Sequence, residues 1–187
     1  TIATADAARD LIDAGANSLR VGVGTGSACT TRINTGVGVP QITAIASVAD
    51  VARETDVTVV ADGGIRTPGD ASKALMAGAD AVMMGGELAV CEESAAPVTA
   101  HGKKLFRGMA SESAQRDIYG DASMVEGASF TRPMNGSVAS VLRRYQDGIR
   151  SAMSYCNGTT VAEARDNAQF VEVTGNTVWR NGAHGTE

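Results

Sequence analysis

The sequence contains only three cysteines, Cys29, Cys91 and Cys156, which lie far apart and form no Cys-X-X-Cys pair. Their odd number argues against a disulfide framework, and their spacing does not fit a zinc knuckle. The two histidines, His101 and His184, are too isolated to suggest a metal site. Each cysteine is therefore interpreted as a single thiol.

Charge and hydrophobicity exclude several kinds of partner. The 187 residues include 16 basic and 21 acidic side chains, giving a net charge of −5, which argues against a nucleic-acid groove. There is no run of about 18 apolar residues that would predict a membrane span. Residues 1–9 also lack the basic and apolar regions of a signal peptide. We therefore expect a cytoplasmic protein that binds neither nucleic acid nor a membrane.

The chain is short for one common architecture, because a complete (β/α)₈ barrel takes about 250 residues. Three apolar runs nevertheless end in glycines and are followed by helical patterns, which is typical of parallel βα units and an α/β class. The predicted strands are residues 18–23, 57–61 and 81–84. The predicted helices are residues 4–14, 43–55, 68–77 and 137–154, with another that begins at the capping-box residue Thr160.

Three segments lie outside this pattern. Residues 24–39 form a long glycine-rich loop, and a long loop in a compact domain is usually functional. Residues 92–135 are polar and weakly periodic, which predicts a flap-like insertion with a hairpin near residues 101–107. The alternation of residues 170–174 predicts a small terminal strand.

Glycine-rich loops follow all three predicted strands, at residues 22–27, 62–64 and 85–86. Glycines let main-chain amides approach an anion closely, so three such loops on one face predict a phosphate cradle. The alternative is that they only permit tight βα turns. Asp62, at a strand end, is placed to accept hydrogen bonds from ribose hydroxyls, or alternatively to cap a turn.

Cys29 lies in the first of these loops, among Ser27, Thr30 and Thr31 and close to Arg32. Exposure and nearby positive charge favour the thiolate, so Cys29 is a candidate nucleophile. The alternative is a small buried hydrophobe, which is our interpretation of Cys91 and Cys156. Glu126 is a possible acid or base, but spacing alone leaves it unassigned.

Five motifs together resemble the IMP dehydrogenase and GMP reductase superfamily, and they occur in the family's order over nearly the whole chain. They are residues 24–32 (GTGSACTTR), 35–41 (TGVGVPQ), 61–65 (ADGGI), 84–86 (MGG) and 107–109 (RGM). The resemblance implies a TIM barrel whose sixth, seventh and eighth strands are the three predicted here. Residues 1–187 would then form a partial (β/α)₈ barrel, the C-terminal portion, without the N-terminal half and without a CBS domain.

The resemblance also implies roles for individual residues. Cys29 would attack C2 of a purine nucleotide and form a thioimidate, with Thr31 and Glu126 moving the proton. The implied substrate-binding residues are Ser27, Asp62, Gly63, Gly64, Gly85, Gly86, Gly108 and Met109. Phosphate would be held by Ser27 and the glycines at 64, 85 and 86, ribose by Asp62, and the base by residues 108–109.

Cofactors and partners follow from the same resemblance. The carbonyls of Gly24, Gly26 and Cys29, with Arg32 nearby, would form a K⁺ site. Residues near the end of the long helix would touch NADP(H), or alternatively NAD, of a neighbouring subunit; they are Ser151, Ala152, Met153 and Ser154. A homo-oligomer is therefore expected, or a partner chain that supplies the missing barrel half.

Two branches of the family run different reactions on the same intermediate. A reductase converts GMP to IMP with NADPH, whereas a dehydrogenase oxidises IMP to XMP with NAD and water. The dehydrogenase flap carries an adjacent Arg-Tyr pair, but between Met109 and Glu126 this chain has only Arg116 and Tyr119, separated from each other. That favours the reductase, although residues 37–44 and 62–66 are at least as close to bacterial dehydrogenases. A third alternative is a nucleotide-binding or assembly fragment without turnover.

Overall fold

The structure is a computed structural model that describes residues 1–175. His184 and the C-terminal tail therefore lie outside the described residues. The elements in chain order are α1 (Ala5–Asp13), β1 (Ser18–Val21), α2 (Thr31–Thr35), α3 (Gln41–Ala52), β2 (Thr58–Asp62), α4 (Pro68–Met76), β3 (Ala81–Met83), α5 (Gly86–Ala89), β4 (Lys103–Arg107), α6 (Glu112–Tyr119), β5 (Ser129–Pro133), α7 (Val138–Tyr155) and α8 (Val161–Asn167).

A parallel sheet with the strand order β1-β2-β3 organises the first half of the chain. Leu19 pairs with Val59, and Val60 pairs with Ala81. Since consecutive strands are neighbours and all run in one direction, their carboxyl ends meet at one edge of the sheet. The α/β class and the three predicted βα units are confirmed.

The main core lies between this sheet and its helices. Leu19, Val21 and Val59 of the strands are at most 1% exposed, and they pack with Ile45 and Val48 of α3, which are fully buried. Burial of these side chains provides most of the favourable free energy of folding. The strands therefore point their apolar side chains into the core, and the glycine-containing loops begin where the strands end.

Hydroxyl side chains begin most of the longer helices. A Ser or Thr at the N-cap accepts a hydrogen bond from the first turn of α1, α4, α6, α7 and α8, at Thr4, Thr67, Ser111, Ser137 and Thr160. Two of them, Thr67 and Thr160, form complete capping boxes with an acidic residue three positions later. The capping box predicted at Thr160 is confirmed.

Two sequence predictions differ from the structure. The loop at residues 24–39 is not wholly irregular, because it contains the short helix α2, which ends at Gly36 in the left-handed conformation with a φ of 71°. Residues 170–174 do not form a strand. Alternation alone does not create a strand, which needs a hydrogen-bonded neighbour, and Phe170 and Val171 are instead 50% and 81% exposed.

Residues 92–135 have secondary structure of their own. The strands β4 and β5 pair antiparallel, with Phe106 opposite Phe130. Ahead of β4, Val98 bridges to Lys104 across the turn that holds His101, so a small hairpin does form near the predicted place. The longer pairing, with β5, involves residues more than twenty positions away, and we call β4 and β5 together the ribbon.

Helix α7 packs closely against α4. A β-carbon at Gly148 would lie 2.3 Å from Cβ of Pro68, so only glycine permits this approach. Val141 and Tyr145 of α7 are buried in the main core. The glycine that weakens the helical pattern of α7 in the sequence therefore has a packing function.

The outer side of β3 is open. Within residues 1–175, β3 pairs only with β2, and a cavity of about 640 Å³ lies between β3 and α7. Val82, Leu142 and Ile149 are among the apolar residues that line it. Tyr145 also lines it, and burial, with the charge of Glu87, raises the pKa of Tyr145 to about 12.

Within residues 1–175, no helix combines the length and apolarity needed to cross a bilayer.

Candidate active site

A cavity of about 560 Å³ lies where the carboxyl ends of the three parallel strands meet. Most of the predicted site residues line it, namely Gly26, Ser27, Cys29, Asp62, Gly63, Gly64, Gly85, Gly86, Gly108, Met109 and Glu126. The three strand-end loops supply one wall, and residues 106–110 and 126–132 supply the other. The structure thus brings together residues that are nearly 100 positions apart in the sequence.

The first two loops interlock below the cavity. The hydroxyl of Thr25 donates to the carbonyl of Asp62 at 2.7 Å, and the amide of Gln41 donates to the carbonyls of Val21 and Asp62 at 3.0 and 3.1 Å. Gly63 has a φ of 86°, and a β-carbon there would lie 2.2 Å from the Thr25 hydroxyl. Gln41 was not among the predicted site residues, yet it fixes the relative position of two loops.

Backbone faces open space at two other glycines in the wall. A β-carbon at Gly64 or Gly85 would meet nothing within 4 Å, so the main chain there borders the cavity directly. Asp62 points a partly buried carboxylate to the same side, 3.5 Å from Nε of Arg20. Open amides beside a carboxylate suit a ligand that carries both an anionic group and hydroxyls.

Cys29 begins a short chain of hydrogen-bonding groups. Its Sγ lies 3.1 Å from Oγ1 of Thr31, and that hydroxyl donates to Oε2 of Glu126 at 2.5 Å. All three side chains are partly buried. The thiol is thus connected through one hydroxyl to a carboxylate, which is the arrangement needed to move a proton to or from a group bound at sulfur.

Backbone pairing explains how Glu126 reaches this place. Cys29 and Gly127 form an antiparallel bridge, the N–H of Thr30 donates to the carbonyl of Glu126 at 2.8 Å, and the N–H of Ala128 donates to the carbonyl of Ala28 at 2.7 Å. Gly127 also lies so close to Ser111 that a β-carbon would be 2.6 Å from the Ser111 nitrogen. The glycine after Glu126 is therefore required for the bridge.

Arg32 does not hydrogen-bond to Cys29. Its guanidinium donates to the carbonyls of Val23 and Val39, and its side chain fills the space beside Gly24 and Gly38. It therefore joins the two ends of the cysteine loop.

The predicted cation ligands lie in the same loop. The N–H of Cys29 donates to the carbonyl of Gly26 at 3.0 Å, and Gly24 is left-handed, with a φ of 71°. A carbonyl oxygen has two lone pairs, so Gly26 retains acceptor capacity. Carbonyl oxygens are the ligands that K⁺ sites use. No group of three His, Cys, Asp or Glu side chains suited to a metal occurs in residues 1–175.

A buried carboxylate with two guanidinium partners lies at the cavity, where Glu87 and Arg132 are lining residues. Glu87, whose side chain is 6% exposed, accepts from Nη2 of Arg132 at 3.0 Å and from Nη2 of Arg144 at 2.9 Å. Sequence reasoning missed all three residues. The only local signal is that Glu87 directly follows the Gly85-Gly86 pair, and nothing in the sequence connects it with two arginines 45 and 57 positions away.

The remaining predicted residues lie elsewhere. Ser151, Ala152, Met153 and Ser154 occupy the last turns of α7 and do not line the cavity; Met153 packs near Leu75 and Met76. Cys91 is fully buried in the core, and burial, together with the charges of Glu93 and Glu87, raises the pKa of its thiol. Cys156 is partly buried against the smaller apolar cluster around Ala164. These environments agree with the interpretation of Cys91 and Cys156 as packing residues.

Comparison with known proteins identifies the family. The family model described as IMP dehydrogenase / GMP reductase domain matches residues 1–184. The chain belongs to this family. The resemblance seen in the sequence motifs is thereby confirmed, and the family consists of purine-nucleotide oxidoreductases.

Named relatives come from both branches. The chain is 41% identical over 197 residues to GMP reductase of Leishmania donovani, covering 98% of this chain and 40% of the relative. It is 45% identical over 185 residues to inosine-5′-monophosphate dehydrogenase of Thermoplasma acidophilum, covering 94% of this chain and 38% of the relative. The chain thus spans about two fifths of the length of these curated members of the family.

A solved structure resembles the chain throughout. It is a crystal structure of a GMP reductase variant from Trypanosoma brucei in complex with guanosine 5′-monophosphate, with a TM-score of 0.94 and 40% identity. The match covers 100% of this chain and 40% of that one. This family member was therefore solved with a purine mononucleotide bound.

Proposed function

We propose that this chain carries the nucleotide-binding and catalytic-cysteine part of a purine-nucleotide oxidoreductase that converts GMP to IMP. The observation that carries the proposal is the hydrogen-bonded set Cys29, Thr31 and Glu126. Cys29 and Glu126 of this set line a cavity at three glycine-containing strand ends. The GMP complex of the similar reductase supports the choice of a purine mononucleotide.

The chemistry assigned to this chain starts at the thiolate of Cys29. Its sulfur attacks C2 of the purine, and the C2–N bond to the amino group breaks, so that ammonia leaves and a thioimidate remains. Glu126, through the hydroxyl of Thr31, delivers the proton that the departing amine requires. Hydride then reaches C2, the C2–S bond breaks and IMP is released with the thiolate restored.

NADP(H), or alternatively NAD, supplies or accepts the hydride when it is bound. Residues 151–154 lie away from the cavity of their own chain, so their proposed contact would be with the dinucleotide of a neighbouring subunit. The carbonyls of Gly24, Gly26 and Cys29 would hold the K⁺ ion, which would order the loop that carries the nucleophile. Arg32 supports that loop from the side through the carbonyls of Val23 and Val39.

The dehydrogenase is the second candidate, favoured by the 45% identity to the Thermoplasma acidophilum enzyme. A dehydrogenase would need an Arg-Tyr pair that activates water at the cavity. The positions of Arg116 and Tyr119 argue against such a pair and therefore for the reductase. Arg116 pairs with Glu112 on the surface of α6, Tyr119 is 78% exposed, and neither residue lines the cavity.

We further propose that the three parallel strands are the last three of a TIM barrel. The open side of β3 and the apolar cavity beside α7 are the surface that the remaining strands of such a barrel would cover. Those strands would come from the rest of the protein, from a second copy, or from a partner chain. Without them the chain would be the third candidate, a binding or assembly fragment that has no turnover.

Two assays on the purified protein test these candidates. With GMP and NADPH, we expect NADPH oxidation, which the Cys29→Ala substitution abolishes. Cys156→Ala is the matched control, because Cys156 is also partly buried but lies outside the cavity. Formation of XMP from IMP and NAD, without GMP-dependent NADPH oxidation, would favour the dehydrogenase. Binding of GMP with no turnover in either direction would favour the fragment.

A further inference from the structure

Arg132 of β5 lies beside Gly86, one of the glycines that line the cavity. A β-carbon built on Gly86 would lie 3.0 Å from Oγ of Ser27 and 3.2 Å from Nη1 of Arg132. A hydroxyl from the loop after β1, the backbone after β3 and a guanidinium from the ribbon therefore converge there. All three residues line the cavity.

The guanidinium of Arg132 is held by one hydrogen-bond partner, and one of its nitrogens remains available as a donor. Its Nη2 donates to Oε1 of Glu87, and Oε2 of Glu87 is occupied by Arg144. Within residues 1–175, Nη1 of Arg132 makes no hydrogen bond, and the side chain is 37% exposed. A buried anchor on one side and a free donor on the other leave Nη1 facing the cavity.

The charge of this cluster favours an anion. Two guanidiniums face one carboxylate, which leaves a net charge of about +1 beside open glycine backbone. Glu87 itself needs both partners, because a buried carboxylate without them would be costly. An arginine with a free planar edge is suited to a phosphate, since its N–H groups match the spacing of the oxygens.

We propose that Arg132 binds the phosphate of the nucleotide together with Ser27 and the Gly86 backbone, and so makes the cavity specific for nucleotides over nucleosides. This inference rests on the proposed function, because it assigns a recognition residue to the same site. The ribbon then contributes directly to substrate binding, through the guanidinium that Glu87 holds in place.

The test compares ligands with and without phosphate. Calorimetric titration of the purified protein with GMP, guanosine and inorganic phosphate gives three affinities for the wild type and for each variant. We expect Arg132→Met to weaken GMP and inorganic phosphate binding by about 10- to 100-fold and to leave guanosine binding unchanged. Arg132→Lys should recover part of the loss, because it keeps the charge but not the planar fork.

Arg144→Met is the matched control. Arg144 donates to the same carboxylate at nearly the same distance, but it does not line the cavity. It should leave the ratio of GMP to guanosine affinity unchanged. An equal loss in this variant would mean that the arginines act only as counter-ions of Glu87, and the proposal for Arg132 would be wrong.

Two other outcomes separate this inference from the function on which it rests. An Arg132→Met protein that keeps the wild-type ratio of GMP to guanosine affinity overturns the role of Arg132 and leaves the proposed function intact. Binding of phosphate that depends on Arg132, with no preference for a purine nucleotide, overturns the proposed function but supports the role of Arg132. A wild-type protein that binds neither GMP nor phosphate contradicts both.

Discussion

Replacing Gly148 by alanine should destabilise the protein, although alanine is the better helix former. In an open helix the substitution would stabilise by about 1 kcal/mol. In this structure the new β-carbon would lie 2.3 Å from Cβ of Pro68, whereas ordinary contact begins near 3.4 Å. The overlap of about 1 Å must be relieved by moving one of the two helices, because the atom on the other side belongs to a rigid proline ring.

The magnitude follows from two opposing effects. Overpacking of a well-packed interface costs about 1–3 kcal/mol, and the separation of α7 from α4 also loosens the contacts of Val141 and Tyr145. After the gain in helix propensity is subtracted, we expect a net loss of about 1–2 kcal/mol. For a protein of this size, each kcal/mol corresponds to roughly 2–4 °C in Tm.

Gly69→Ala is the matched control for this experiment. Gly69 lies in the first turn of α4, directly after Pro68, but a β-carbon there would meet only Oγ1 of Thr67, at 3.7 Å. Thermal and urea unfolding, followed by circular dichroism, should show Gly69→Ala as stable as the wild type or more stable, and Gly148→Ala less stable. If Gly148→Ala were also stabilising, the close approach of α7 to Pro68 would not exist as described.

Two further predictions concern the hydrogen-bonded set of Cys29, Thr31 and Glu126 and the N-terminal cap of α4. Thr31→Val and Glu126→Gln should each lower turnover by about 10²–10⁴-fold, and the double variant should lose little more than either, because both break the same connection to Cys29; additive losses would show that they act separately. Burial alone would raise the pKa of Asp70, but hydrogen bonds from Thr67 and neighbouring backbone groups, with the charge of Lys73, lower it. Ionised Asp70 thus contributes stability above its unfolded pKa of 3.8. Asp70→Asn should therefore lower the free energy of unfolding by about 1 kcal/mol at neutral pH, and melting curves should show this loss shrinking below pH 4. A loss that does not depend on pH would contradict this.

Local patterns were sufficient to predict the parallel strands and the helices that follow them. Apolar runs ending in glycine identify βα units because both the burial and the turn are properties of neighbouring residues. The strand bounds nevertheless shift by up to two residues. β1 ends at Val21, and the next residue, Gly22, has a φ of 142°.

Contacts between distant segments could not be predicted from local pattern. Glu126 was unassigned by spacing, since its hydrogen bond with Thr31 joins residues 95 positions apart and depends on the backbone bridge between Cys29 and Gly127. The family resemblance did pair these two residues, and the hydrogen bond between them agrees with that pairing. The cluster of Glu87, Arg132 and Arg144 had no such guide, because none of its members belongs to a motif that was identified.

Gly148 shows the limit of helix propensity as a guide. In the sequence it only weakens the prediction of α7, because propensity describes an isolated helix. In the structure a β-carbon at this position would overlap Pro68 of α4, so the residue that weakens the isolated helix is the one required for packing. Helix propensity favours alanine at position 148, whereas packing against Pro68 requires glycine, and only the structure shows that Pro68 is the neighbour.

The two walls of the cavity differ in what they offer a ligand, and two contacts connect them. The strand-end loops offer mainly backbone, whereas the segments around the ribbon offer the side chains of Glu126, Arg132 and Phe106. The walls are joined by the backbone bridge between Cys29 and Gly127 and by the ion pair between Glu87 and Arg132. Between them, the rings of Phe106 and Phe130 are in contact, with centroids 5.2 Å apart, and they stiffen the ribbon. Glu126 lies three residues before β5 and Arg132 lies within it, so one continuous segment of the chain supplies both the carboxylate bonded to Thr31 and the guanidinium bonded to Glu87.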